Sequence, residues 1–233
     1  MGKSELSYSE HSKYRGVDGV IVACVDFEAE EVKELLQSGI PVVTIDYIFN
    51  DKACVMSDNI RGMEQLVSYI IQCGHKKIAY IHGADSFVTR SRIGSFLRTM
   101  KRYGIETEDR YIREGIYHAP DVSAKITHEL LSLEDRPTCI VYPDDFSCIG
   151  GINVIRSKGL SIPNDISVAG YDGQRIAHVI EPKITTYRQN TEQIGKVAAA
   201  KLVELIEQPE LALVERLDVQ GELIRGCSVL SMK

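Results

Sequence analysis

The stretch DNIRGMEQLVSYIIQCGHKKIAYIH, residues 58–82, carries the pattern that decides the fold. Met63, Leu66, Val67, Ile70 and Ile71 recur at i, i+3, i+4, i+7 and i+8, one stripe along an α-helix. Asp58 or Asn59 stands where a side-chain oxygen caps the first turn, and Gly74 where a left-handed residue ends the last. Lys77 to His82 then gives a short apolar run, the mark of a strand covered on both faces. A helix closed by glycine and followed by a buried strand is one step of a parallel α/β sheet.

The same step repeats in both directions. Upstream, Gly19 to Val25 reads as a buried strand. A helix near Glu28 to Gln37 follows, with Val32, Leu35 and Leu36 on one face and Gly39 as its stop; Pro41 to Ile45 and Ala53 to Ser57 read as strands. Downstream, Ile93, Phe96, Leu97 and Met100 form a helical stripe ended by Gly104, and Tyr111 to Tyr117 is a weaker strand. A helix near Val122 to Leu133, the strand Thr138 to Tyr142, a helix from Asp145 to Lys158 and the strand Ile166 to Ala169 continue the alternation. Such strands separated by helices predict a doubly wound α/β fold with parallel sheets. From Asp172 to Pro182 the rhythm lapses, which reads as a connection between lobes. Ile184 to Tyr187 is a short strand, and Ile194, Val197, Ala198, Leu202 and Leu205 mark one long helix. Leu211 to Val229 offers strand pairs around Gly221 and Gly226.

Composition narrows the function classes. The chain has 233 residues, 44% of them hydrophobic and 26% charged, enough to bury a substantial core. With 27 Lys and Arg against 33 Asp and Glu, the net charge of −6 argues against a surface built to neutralise phosphates. The six cysteines form no CxxC pair and sit mostly in apolar runs, which reads as buried free thiols; the six histidines show no HExxH or finger spacing, so no metal site is expected. The polar start, Met1 to Tyr14, holds no apolar core of a leader, and no apolar run approaches the roughly 18 residues of a membrane span. A cytoplasmic, reducing location is the expectation.

Neither G-x-G-x-x-G, G-x-x-x-x-G-K-[ST] nor G-x-S-x-G occurs, so no cofactor and no catalytic residue is expected. Asp144 and Asp145 are adjacent and point apart, which makes a poor acid/base pair. Aspartates do follow the strands: Asp26, Asp46, Asp58, Asp144 and Asp172. Ligands of open parallel sheets bind at the carboxyl ends of the strands, and carboxylates there accept hydrogen bonds from hydroxyls. A polyol, most simply a sugar, suits that lining. Asp58 and Asp145 are also natural helix caps, Asp46 and Asp172 serve either a ligand or a turn, and Arg92 lies by spacing on the polar flank of its helix.

These residues resemble the effector-binding core of the LacI/GalR family, which is similar to a type I periplasmic sugar-binding protein. Val17-Asp18-Gly19-Val20-Ile21-Val22 is similar to the family's VDGIIL strand, and Ile40-Pro41-Val42-Val43-Thr44-Ile45-Asp46 to its IPVVxID strand. Asp58-Asn59 with Gly62, followed by Gly74-His75 and Ile78-Ala79-Tyr80-Ile81-His82-Gly83, resembles DNxxG…GHxxIAxIxG. Arg92-Ile93-Gly94-Ser95-Phe96 resembles RxxGF with Ser95 in place of the glycine. Pro163 to Asp172 resembles VPxDISVxGYD, and Ile184 to Gln189 resembles LTTxxQ. The likeness runs from Val17 to the C-terminus.

The resemblance implies two lobes of the type I periplasmic-binding-protein kind, the first incomplete. They would comprise residues 17–73 with 190–208, and 74–189 with 209–233, after a polar segment 1–16. It implies effector contacts from Asp46, Arg92 and Asp172, with Asp144 at the first position of the family's ND pair, here Asp144-Asp145. Thr191 stands where some members place an aromatic against the ligand; without Trp, stacking would fall to Tyr47, Phe87 or Tyr142. The implied function is sensing of a small effector, a sugar or related molecule, bound between lobes whose shift alters a homodimer and its operator affinity. The helix from Asp145 to Lys158 is either a dimer surface or a core helix. Operator DNA would be met only through a helix-turn-helix head, and none resembling it precedes Met1; the first strands of the family core are likewise missing, leaving about three in the first lobe. The alternatives are a solute-binding protein of a sugar transporter and an α/β enzyme.

Overall fold

The computed structural model describes residues 6–49 and 51–233, and it divides into two compact units. The first comprises residues 1–57 with 190–219, and the second residues 58–189 with 220–233.

In the first unit, strands β1 (Val20–Val22), β2 (Val42–Ile45), β3 (Ala53–Ser57) and β9 (Arg216–Val219) form an all-parallel sheet in the order β1-β2-β3-β9. Neighbouring residues of β2 face opposite ways. Val42 packs with Val22, Val32, Leu35 and Leu36, the last three from α2 (Glu30–Gln37), while Val43 packs with Val55, Ile194 and Ala198, the last two from α8 (Thr191–Glu207). Lys201, 3% exposed on α8, is held by Glu204 and by Glu215 just ahead of β9.

The second unit carries a six-stranded sheet in the order β10-β8-β7-β6-β4-β5. Its strands are β4 (Ile78–His82), β5 (Ile112–Glu114), β6 (Cys139–Val141), β7 (Ser167–Asp172), β8 (Thr185–Arg188) and β10 (Glu222–Ile224); all pair in parallel except β10. One face is covered by α3 (Asn59–Gln72) and α4 (Phe87–Arg102), which bring Met63, Leu66, Ile70, Phe96 and Met100 onto Tyr80, Val141 and Tyr171. The other is covered by α5 (Pro120–Leu131) and α6 (Asp145–Ser157), whose Ile126, Leu130, Cys148, Ile152 and Ile155 meet Ile81, Ile140 and Val168. Strand β4 lies inside the sheet. The chain runs from it to β5 on one side and then returns to β6 on the other, so the strand order reverses at β4 and β6.

Several expectations need correction. The divisions fall at 57/58 and 219/220 rather than near Gly74 and Pro209, because α3 packs on α4 and β9 hydrogen-bonds β3. The two C-terminal strands are not partners of each other: β9 gives the first unit a fourth strand, and β10 joins β8. Residues 172–182 are internal to the second unit and hold a short helix, α7 (Arg175–Val179). The polar start forms α1 (Tyr8–Arg15), closed by a reciprocal cap between Ser7 and Glu10 and by Gly16 at φ 62°. Cys24 and Cys227 are exposed, while the other four cysteines are buried. Among the described residues β1 pairs only with β2, and its Ile21 is 38% exposed. No described helix is long and apolar enough to cross a membrane.

Candidate functional site

The strand order of the second unit reverses between β4 and β6, and the carboxyl ends of strands at such a reversal are the usual ligand position of an open parallel sheet. Ser86 caps α4 on one side by accepting from Thr89 N, and Asp144 caps α6 on the other by accepting from Ser147 N. Arg92, two turns into α4, spans the two sides. Its Nε donates to Asn59 Oδ1 at 2.8 Å and its Nη1 to the Pro143 carbonyl at 3.2 Å. Its guanidinium lies over the Tyr171 ring at 3.7 Å from the centroid, a cation–π contact inside a buried setting. Nη2 lies 3.9 Å from Asp172 Oδ1, an ion pair. Arg92 is 3% exposed, so the solvated arginine that spacing alone suggested is instead a buried bridge across the sheet's switch point.

Gly62 explains how Tyr171 fits there: a Cβ at that position would come within 2.2 Å of the Tyr171 hydroxyl and 2.6 Å of the Tyr187 ring. The hydroxyls of Tyr80 and Tyr171 are buried without a hydrogen-bond partner among the described residues, and burial pushes both phenols well above the ordinary tyrosine range. They are neutral donors beside a fixed cation.

Asp172 ends β7 at φ 96°, a left-handed conformation that costs a non-glycine residue of the order of 1–3 kcal/mol. Its Oδ1 accepts from Gln189 Nε2 at 2.5 Å, its carbonyl accepts from Gln189 N at 3.2 Å, and its side chain remains 18% exposed. Gly173 follows at φ 68°, where a Cβ would lie 2.3 Å from that of Arg188. The turn is therefore held from below and open at the carboxylate.

The neighbouring aspartate differs. Asp144 is fully buried; Oδ1 accepts from Ser147 N at 2.8 Å, and Oδ2 from Ser147 Oγ at 2.8 Å and from His118 N at 2.9 Å. Both oxygens are used inside the protein. Asp144, not Asp145, is the cap of α6. Tyr142 is fully buried too, its hydroxyl hydrogen-bonded to Thr127 Oγ1 at 2.8 Å and set against Gly151, so it is a core residue and no stacking wall. Phe87 is partly buried at the first turn of α4, on the same side of the switch point as Ser86.

Three expected residues belong to the first unit. Asp46 follows β2 at φ 61°, partly buried, with its N–H on the Val55 carbonyl at 3.0 Å. Tyr47 stacks on Phe27 with centroids 4.2 Å apart and rings 2° from parallel, and its hydroxyl donates to Glu28. Thr191 is exposed at the first residue of α8. The second unit thus brings together Arg92 and Asp172, and it adds Asn59, Tyr171 and Gln189. Asn59 and Gln189 lay inside sequence motifs, but their partners are 33 and 17 residues away and no periodicity reveals them. Among the described residues no cluster of His, Cys, Asp and Glu is arranged to hold a metal.

Comparison with known proteins identifies the family of the fold. The family described as periplasmic binding protein-like domain matches residues 67–229. The HTH-type transcriptional repressor PurR of Mannheimia succiniciproducens is 29% identical over 218 residues, covering 91% of this chain and 64% of the repressor. Among solved structures, a complex of the transcriptional regulator CelR with cellobiose is similar at a TM-score of 0.83 and 26% identity, over 95% of this chain and 71% of that one. A LacI family regulator of Enterococcus faecium with bound ribose is similar at a TM-score of 0.84 and 25% identity, over 100% and 86% of the two chains. The chain spans under two thirds of the length of the curated repressor.

Proposed function

The chain belongs to the periplasmic binding protein-like domain family as an effector-binding core of the LacI/GalR type, and from that premise we propose that it senses a small polyol, a sugar or a close derivative. Asp172 accepts the ligand's hydroxyls and Arg92 Nη2 donates beside it, with Phe87 as an apolar flank. The carrying observation is the Arg92–Asp172 pair: a buried cation 3.9 Å from a carboxylate that is still 18% exposed, so that a hydroxyl can be inserted as donor to one and acceptor from the other. The ligands named for the CelR and Enterococcus faecium structures, cellobiose and ribose, are of that class. Asp144, Tyr142 and Thr191 play no part in this reading: the first two are enclosed and the third carries no ring.

In the whole regulator the core would act as a homodimer on operator DNA, and ligand binding would shift its preference between two arrangements. Thermal unfolding against pentoses, hexoses, disaccharides and nucleosides tests the sensing claim. A rise in Tm with at least one sugar is expected, and Asp172→Ala should abolish that rise; no response to any member contradicts it.

A further inference from the structure

Asp145 is enclosed at the first turn of α6, fully buried, yet it neither caps the helix nor belongs to the Arg92–Asp172 pair. Its Oδ2 accepts from Gln174 N at 2.7 Å, the amide two residues beyond Asp172. Its Oδ1 lies over Gly170, where a Cβ would come within 2.1 Å of it. The turn it holds contains two consecutive left-handed residues, Asp172 and Gly173, and Gly173 N donates to Thr186 Oγ1 at 3.2 Å. A turn strained in this way keeps its shape only where its neighbours hold it. Asp145 from α6 and Thr186 from β8 are those neighbours.

We propose that Asp145 is a positioning residue, which fixes the Asp172–Gln174 turn to α6 and so sets the angle at which the Asp172 carboxylate meets the ligand. The proposal rests on Asp172 being the ligand-facing group. Burial pushes the Asp145 carboxyl up to about 7, against the Thr186 hydroxyl and the Gln174 amide, which pull it down, while Asp172 and Asp144 add to the rise. The titratable groups facing it are those two aspartates and the Cys148 thiol on its own helix; Thr186 and the Gln174 amide are neutral. The ionised carboxylate is the stronger acceptor for Gln174 N, so the turn is held more firmly as pH rises through neutrality.

The test uses the full chain with Asp145→Ala and Asp145→Asn, the second keeping an acceptor oxygen without a charge. Hydrogen exchange at the Gln174 amide at pH 6 should lose at least tenfold protection in Asp145→Ala and keep it in Asp145→Asn. At pH 6, where the wild-type carboxyl is mostly protonated, affinity for whichever sugar of the panel binds, ribose and cellobiose included, should fall about tenfold in the first and hold in the second. Wild-type affinity should strengthen between pH 6 and pH 8, and that trend should vanish in Asp145→Asn. Wild-type protection in Asp145→Ala, or an Asp145→Asn as impaired as Asp145→Ala, overturns the proposal. If no sugar binds the wild type, the ligand reading fails while the exchange experiment still decides whether Asp145 holds the turn; should Asp145→Ala not fold, the pH trend in Asp145→Asn decides it.

Discussion

Two strand-to-helix turns of the second unit begin with an aspartate, and they do opposite work. After β6, Asp144 is fully enclosed and each oxygen accepts from the backbone or from Ser147. After β7, Asp172 sits at a strained φ of 96°, is tethered by Gln189 and stays partly open beside Arg92. The residues immediately downstream make the difference. Asp144 precedes a long helix whose third residue is Ser147, so its oxygens find donors at once, whereas Asp172 precedes Gly173 and a five-residue helix that Asp172 does not cap. An aspartate at the end of a strand is therefore a ligand candidate only when the next turn does not consume it.

The largest expected effect breaks the enclosed turn. Asp144→Ala takes the acceptor from Ser147 N and Ser147 Oγ, both buried, and each stranded donor costs about 1–3 kcal/mol. A loss of about 4 kcal/mol, read by urea unfolding, is expected. A stable variant with lost ligand binding would reverse the roles assigned to the two aspartates.

Next comes the pH dependence set by Asp145, which lies between them. Its folded-state pKa, about 7, stands above the ordinary aspartate value of 3.8, so the folded chain holds this proton more tightly than the unfolded one. Stability from this group is present at low pH, falls as pH rises from about 4 to 7, and levels off above. The span is on the order of a few kcal/mol, and Asp145→Asn should flatten it in unfolding midpoints compared at pH 5 and pH 8. An unchanged slope would show that the carboxyl titrates elsewhere.

The open turn is sharpened by Gly173→Ala, which forces a side chain into φ 68° and against Arg188. A loss of about 1–3 kcal/mol is expected together with weakened sugar binding. The smallest effect belongs to Tyr142→Phe, which removes the hydrogen bond to Thr127 at a cost of about 1 kcal/mol and leaves ligand affinity unchanged. Altered affinity there would return Tyr142 to the ligand wall.

The helices were legible because a 3.6-residue stripe is a local property: α3, α4 and α8 follow the periodicity of Met63 to Ile71, Ile93 to Met100 and Ile194 to Leu205. The buried strands were legible because a parallel sheet leaves them continuously apolar. Which sheet a strand joins is a long-range matter, and residues 216–224 contain two short strands whose partners, β3 and β8, lie far apart in sequence. The short helix α7 has too few residues to show a period, and the Ser7–Glu10 cap of α1 was readable in principle from S-x-x-E but precedes no apolar run. At the site, the resemblance pointed to Arg92 and Asp172 as ligand contacts, but not to the burial of Arg92 or the enclosure of Asp144. Both depend on which groups the fold brings within 3 Å, and Asn59 and His118 reach them from 33 and 26 residues away.

The most direct measurement is calorimetric titration of the panel's best sugar into the wild type and into Asp172→Asn, with the thermal midpoint of each recorded. The partly open, tethered carboxylate should contribute to recognition and little to the core, so affinity should fall at least tenfold while Tm moves by no more than about 4 °C. Undiminished affinity in Asp172→Asn would contradict the assignment of the ligand to this turn.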